Sequence, residues 1–245
     1  EYRENNAAER GGAIYNAAEA NLIIAGATFV RNDVFFSPDT RGGAIYNDSA
    51  QAVSIRDTLF ERNEGRFGGA IAHHGEGVLT LLESTFTENY AASNGAAIHG
   101  TGELSIDRSA FDRNDADEDG GAIFMAEGAT LTVNDTNFVN QSTGERGGAI
   151  FASANVTVTL NESRFNGNES RHEGGAIYNL GTLTATDTRF EDNEAFDFGG
   201  AIFNAAGAML SMNGSLFVDN ISDDRGGAID NAGSLNVEDS VFETN

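Results

Sequence analysis

Phe165-Asn166-Gly167-Asn168, followed after five residues by Gly174-Gly175-Ala176-Ile177, is the stretch whose recurrence decides the fold. Gly-Gly-Ala-Ile also begins at Gly11, Gly42, Gly68, Gly120, Gly147, Gly199 and Gly226, and Gly95-Ala96-Ala97-Ile98 departs from it at one position. Phe-x-x-Asn recurs at Phe29/Asn32, Phe60/Asn63, Phe86/Asn89, Phe111/Asn114, Phe190/Asn193, Phe217/Asn220 and Phe242/Asn245. Phe138-x-x-Gln141 is an altered copy, and Tyr2-x-x-Asn5 is a partial one. Successive glycine pairs lie 31, 26, 27, 25, 27, 27, 25 and 27 residues apart. A fixed period of this size means stacked supersecondary units, none able to bury its apolar face alone.

A third element fills the gap between the two signatures, as in Leu131-Thr132-Val133-Asn134-Asp135-Thr136 and Leu183-Thr184-Ala185-Thr186-Asp187-Thr188. Its strict apolar/polar alternation and β-branched residues predict a half-buried strand. No repeat holds ten residues of helical periodicity. A leucine-rich repeat would show its own leucine spacing, and a propeller blade needs about 40 residues. The expected fold is all-β: a right-handed, single-stranded parallel β-helix of about nine rungs with three short strands each, right-handed because parallel crossovers almost always are. Length variation sits at two corners, the longest being residues 33–41 with the only proline, Pro38. The unbroken repeat makes residues 1–245 one domain. Lacking an initiator Met and starting and stopping on the same signature, the chain is expected to be a segment of a longer protein.

Stacking assigns each recurrent position a task. The phenylalanines form an interior column with one ring per rung, about 4.8 Å apart. Asn32, Asn63, Asn89, Asn114, Gln141, Asn168, Asn193 and Asn220 form a structural ladder of amides bonded from rung to rung. Gln141 fits this reading, being the one other side chain that keeps an amide there. Tyr15, Tyr46, Phe124, Phe151, Tyr178 and Phe203 follow the isoleucines and point away from the interior, interrupted by Ala72, His99 and Asp230. They are an aromatic stripe and a candidate partner surface, unless the adjacent corners cover them.

The paired signatures resemble the repeats of chlamydial polymorphic outer-membrane proteins, whose passenger regions are β-helices displayed by autotransport. The resemblance spans essentially the whole chain. It implies a surface-exposed solenoid used in adhesion, located outside the cell or on its surface. Departures from that family are the lack of a C-terminal barrel, the lack of cysteine and a far more acidic balance.

Acidic residues number 38 against 14 basic ones, all arginine, for a net charge of −24. Such a surface repels nucleic acid. A salt-adapted protein and an ordinary acidic extracellular one are equally consistent with it. No apolar run is long enough to span a membrane. Among the glycosylation sequons, Asn47, Asn140 and Asn155 sit on expected corners and are the acceptors if the chain is glycosylated.

Asp115, Asp117 and Asp119 alternate within one corner, either as a solvated acidic loop or as a calcium site, since hard cations take several oxygen ligands. No other cofactor is implied. Against catalysis stand the uniform repeat, the absence of long loops to build a cleft, and the absence of Trp. His73, His74, His99 and His172 are expected not to share a column. The functional expectation is therefore a non-catalytic structural or adhesive solenoid, a cell-surface adhesin or filament component. Its partners would be other copies or further rungs end to end, a neighbouring or host cell surface, or a polysaccharide. The alternative is a carbohydrate-binding or polysaccharide-degrading β-helix.

Overall fold

A computed structural model describes residues 1–34 and 39–245; Pro38 lies outside the described residues. The chain coils through four parallel sheets, and each rung contributes one strand to each. The phenylalanine sheet runs in ten strands from Tyr2–Arg3 to Val241–Glu243. The isoleucine sheet runs from Ile14–Asn16 to Ile229–Asn231, and the leucine sheet from Leu22–Ala25 to Ser234–Glu238. Equivalent residues pair in register, as with Phe111 and Phe138, Leu131 and Val158, and Ile150 and Ile177. The fold is a parallel β-solenoid of about nine turns.

The fourth sheet is additional to the three strands per rung that the sequence suggests. It runs from Asn6–Ala7 to Ile221–Ser222 through the corner between Phe-x-x-Asn and Gly-Gly. Most of its strands have only two residues, as in Asp115–Ala116 and Glu169–Ser170, too few to show a period. Its inward positions are small, including Ala91, Ala116, Thr143, Ser170 and Ala195, so this corner stays close to the coil.

One apolar cluster runs along the coil from Ile24 to Ala228. The phenylalanine rings stack from Tyr2 to Phe242 with centroids 4.6–5.0 Å apart. Full burial of each such ring is worth about 1.5–3 kcal/mol relative to exposure. The paired glycines serve two different ends. Gly147 sits at φ +68°, in the left-handed region. Gly148 is not left-handed, but a Cβ there would lie 2.0 Å from the Gly175 carbonyl oxygen of the next rung. Each rung also bends twice through a left-handed residue, as at Arg113 and Asp135 (φ 50° and 43°). Each of these two precedes a ladder side chain, Asn114 or Thr136.

Candidate functional site

Three polar ladders hold the corners, and their completeness decides which parts of the chain are free to bind anything. In the amide ladder, each Asn Nδ2 donates to the Oδ1 of the next rung, or for Asn114 to Gln141 Oε1, at 2.7–3.0 Å. The backbone N–H of the same residue donates to that Oδ1 at 3.0–3.2 Å. The second amide proton reaches the preceding rung's Phe carbonyl, as from Asn63 to Phe29 at 3.0 Å. Each interior amide is thereby fully satisfied without water. Gln141 deviates: its extra methylene turns Nε2 onto the carbonyl of Val139 at 2.7 Å, and only its backbone N–H reaches Asn168 Oδ1.

Two further ladders escaped the sequence reading. Hydroxyls at Ser84, Ser109, Thr136 and Ser163 accept the N–H of the preceding rung and donate to a carbonyl two residues back. In the isoleucine sheet, Asn16 donates to Asn47, which donates to His73 Nδ1; Asn179, Asn204 and Asn231 repeat the pattern farther on. Asn47 is therefore buried and bonded, which corrects its reading as a glycosylation acceptor; Asn140 and Asn155 are exposed. The recurring Ile-Tyr-Asn triplets were the available signal for the third ladder.

The aromatic stripe stacks at 5.0–5.5 Å but is not a free surface. Tyr15 is 50% exposed, whereas Tyr46, Phe151 and Tyr178 are 4%, 5% and 8% exposed, and Phe124 and Phe203 are half-buried. The column just before the glycine pairs covers Tyr46, Phe151, Tyr178 and Phe203. Arg10 lies over Tyr46, and Arg146 lies over both Phe151 and Tyr178 while forking onto Asp119 at 3.0 Å. Phe198 packs beside Phe203 beneath Arg225. Tyr46, Phe151 and Tyr178 are therefore not a free partner surface, and the alternative of coverage by the adjacent corner describes them, while Tyr15 stays exposed.

The stripe is also more continuous than expected. His99 stacks within it, and His74 swings into the gap above Ala72, so two histidines do share a column. His74 accepts from the Arg41 guanidinium at 2.9 Å. Burial holds both rings neutral, pulling His74 down to about 4 and His99 to about 3, with Arg41 adding to each. Burial likewise lowers His73 to about 4.

The three corner aspartates do not converge. Asp115 accepts from Ser142 Oγ at 2.5 Å, Asp117 accepts from Tyr90 Oη at 2.7 Å, and Asp119 is committed to Arg146. Among the described residues no group of three or more His, Cys, Asp or Glu is placed to hold a metal ion, which corrects the calcium expectation. What this corner does present is an open trough of about 480 Å³ across three rungs, lined by Asp115, Asp117, Ser142, Gly144, Glu169 and Arg171. No helix among the described residues is long and apolar enough to cross a membrane.

Comparison with known proteins agrees with the repeat architecture. The Chlamydia polymorphic membrane protein repeat matches residues 83–101 and 162–180, two stretches that each contain one Phe-x-x-Asn and one glycine-corner signature. No curated protein and no solved structure matches the chain. At those two positions the chain carries the repeat of the polymorphic membrane proteins, and that repeat, wound into a parallel β-solenoid, fits a surface-associated β-helix.

Proposed function

We propose that this chain is a non-catalytic β-solenoid displayed outside the cell, serving as a stiff spacer whose outer face makes adhesive contacts. The observation that carries this reading is the continuity of the coil. Ladders and stacks run through nearly every rung, the described corners are short, and the hollows on the outer face are shallow and open. Stiffness is expected because nearly every rung repeats the same backbone pairing and amide bond to its neighbours. Kinship with the polymorphic membrane protein repeat supports the surface location.

The test is to coat beads with the purified chain and measure their retention on cell monolayers and on immobilised polysaccharides, with product analysis of the polysaccharides afterwards. Retention above that of beads carrying an unrelated acidic protein, with no cleavage products, is the expected result. No retention on any surface removes the adhesive role, and cleavage products remove the non-catalytic one.

A further inference from the structure

The outer face of the short corner sheet carries a trough that no ladder, stack or ion pair accounts for. Its centre is Gly144, where the column Asp117, Gly144, Arg171 loses its side chain. The notch is built into the backbone, since a Cβ at Gly144 would lie 2.1 Å from the Asp117 carbonyl oxygen. Asp117 and Arg171, two rungs apart, face each other across about 9–10 Å at the usual strand spacing.

The polar groups around this notch are of mixed kind. Asp115 and Asp117 each receive one hydrogen bond, from Ser142 and Tyr90, and keep acceptor capacity toward the trough. Glu169 adds a third carboxylate. The Arg171 guanidinium has no carboxylate partner among the described residues, although ten other arginines of this chain do. One rung farther on, Phe196 is 42% exposed and borders a second hollow with Arg171 and His172. Arg171 lines both hollows, so they form one path across four rungs, three strand spacings or roughly 14 Å long.

We propose that this path binds a neutral polysaccharide, with hydroxyls bridging the Asp115, Asp117 and Glu169 carboxylates and the Arg171 guanidinium while one pyranose ring stacks on Phe196. A sugar hydroxyl both donates and accepts, which suits a wall that mixes carboxylate acceptors with a guanidinium donor. The three carboxylates, on a chain of net charge −24, repel polyanions. The same carboxylates do not converge on a metal ion. The inference deepens the surface-contact reading and rests on it only in placing partners on the outer face.

The experiment is a solution titration of the full chain with neutral hexasaccharides (gluco-, manno-, xylo- and N-acetylglucosamine-based), followed by calorimetry and by backbone amide shifts. At least one should bind, with shifts centred on residues 115–117, 142–144, 169–171 and 196. Arg171→Ala and Phe196→Ala should each weaken it about tenfold, the scale of one lost stacking or charge-assisted contact. Both side chains are on the surface, and far-UV circular dichroism checks that the variants remain folded. Thr186→Ala, on the leucine sheet, should change nothing. The proposal is overturned if no hexasaccharide binds, if either trough variant binds as the parent does, or if a hexauronate or an extended peptide binds in preference. Titration with free sugars is independent of bead adhesion, so the trough and the adhesive role can fail separately.

Discussion

Acid should weaken this solenoid well before its carboxylates titrate, because three histidines are folded in a form that cannot take a proton. His73 Nδ1 accepts from Asn47 Nδ2 at 2.8 Å, His74 accepts from Arg41, and His99 is buried with Nδ1 unpartnered. Arg41 faces both His74 and His99, and Arg10 also faces His74; these guanidinium groups oppose a further positive charge. Above about pH 7.5 all three rings are neutral whether the chain is folded or not. As pH falls through 6.5 the unfolded chain takes up protons that the folded chain refuses, and stability drops until about pH 4, where folded His73 and His74 titrate too. At pH 5 the loss is about 2 kcal/mol for each of His73 and His99, and about 1 for half-buried His74. The total of about 5 kcal/mol is large against ordinary folding stabilities. Urea unfolding at pH 7.5, 6.0 and 5.0, followed by circular dichroism, reads it directly. His73→Asn with His74→Phe and His99→Phe keeps the ladder and the stack while removing the titrating groups. Asp33, Glu64, Asp119 and Glu173 are pushed up by burial and act in the opposite direction, but equally in parent and variant. Equal losses in parent and triple variant between pH 7.5 and 5.0 would refute the reasoning.

Phe138→Ala should cost about 3–5 kcal/mol as a cavity in the ring stack, while Ser142→Ala on the outer corner should cost under about 0.5; equal denaturation midpoints would place the phenylalanines wrongly. Asn89→Ala orphans the amide and N–H of Asn63 and the carbonyl of Phe60, so a loss of at least about 3 kcal/mol is expected. Asn89→Gln should lose less, since Gln141 shows how the site accepts the longer amide; thermal melts of the pair rank them. Raising NaCl from 0.1 to 1 M should raise the melting temperature by screening the net charge of −24, the Debye length falling from about 10 to about 3 Å. Calcium at matched ionic strength should add nothing further, nor should Asp117→Asn alter the response; a calcium-specific gain lost in that variant would restore a metal site.

The coil was legible because the residues that build it repeat. Phe, Ile, the paired glycines and Asn occupy equivalent positions in nearly every rung, and each is tied to one interior task. The fourth strand was not legible, since two residues with a small inward member look like any turn. What covers the aromatic stripe was hidden for a different reason. The column before the glycines reads Arg10, Arg41, Phe67, Asn94, Asp119, Arg146, Glu173, Phe198 and Arg225, so it has position without identity. Its members act in pairs across rungs, as Arg146 does with Asp119, and such pairing is invisible until the register is known. His74 misled for a similar reason, filling a stack position two residues away from its own. The trough depends on Gly144 lying between Asp117 and Arg171 in space, although 54 residues of chain separate those two.

The central claim is that residues 25–27 apart in sequence are one strand spacing apart along a single straight axis. Spin labels placed on the outward column of the leucine sheet test it most directly, since the chain has no native cysteine to remove. Thr80→Cys with Thr184→Cys spans four rungs, and Ser54→Cys with Ser211→Cys spans six. Pulsed electron–electron distances should centre near about 19 and 29 Å, apart from the label tethers, a difference of two strand spacings. Distributions that are broad, or whose means fail to increase by about 4.8 Å for each added rung, would contradict the stacked coil.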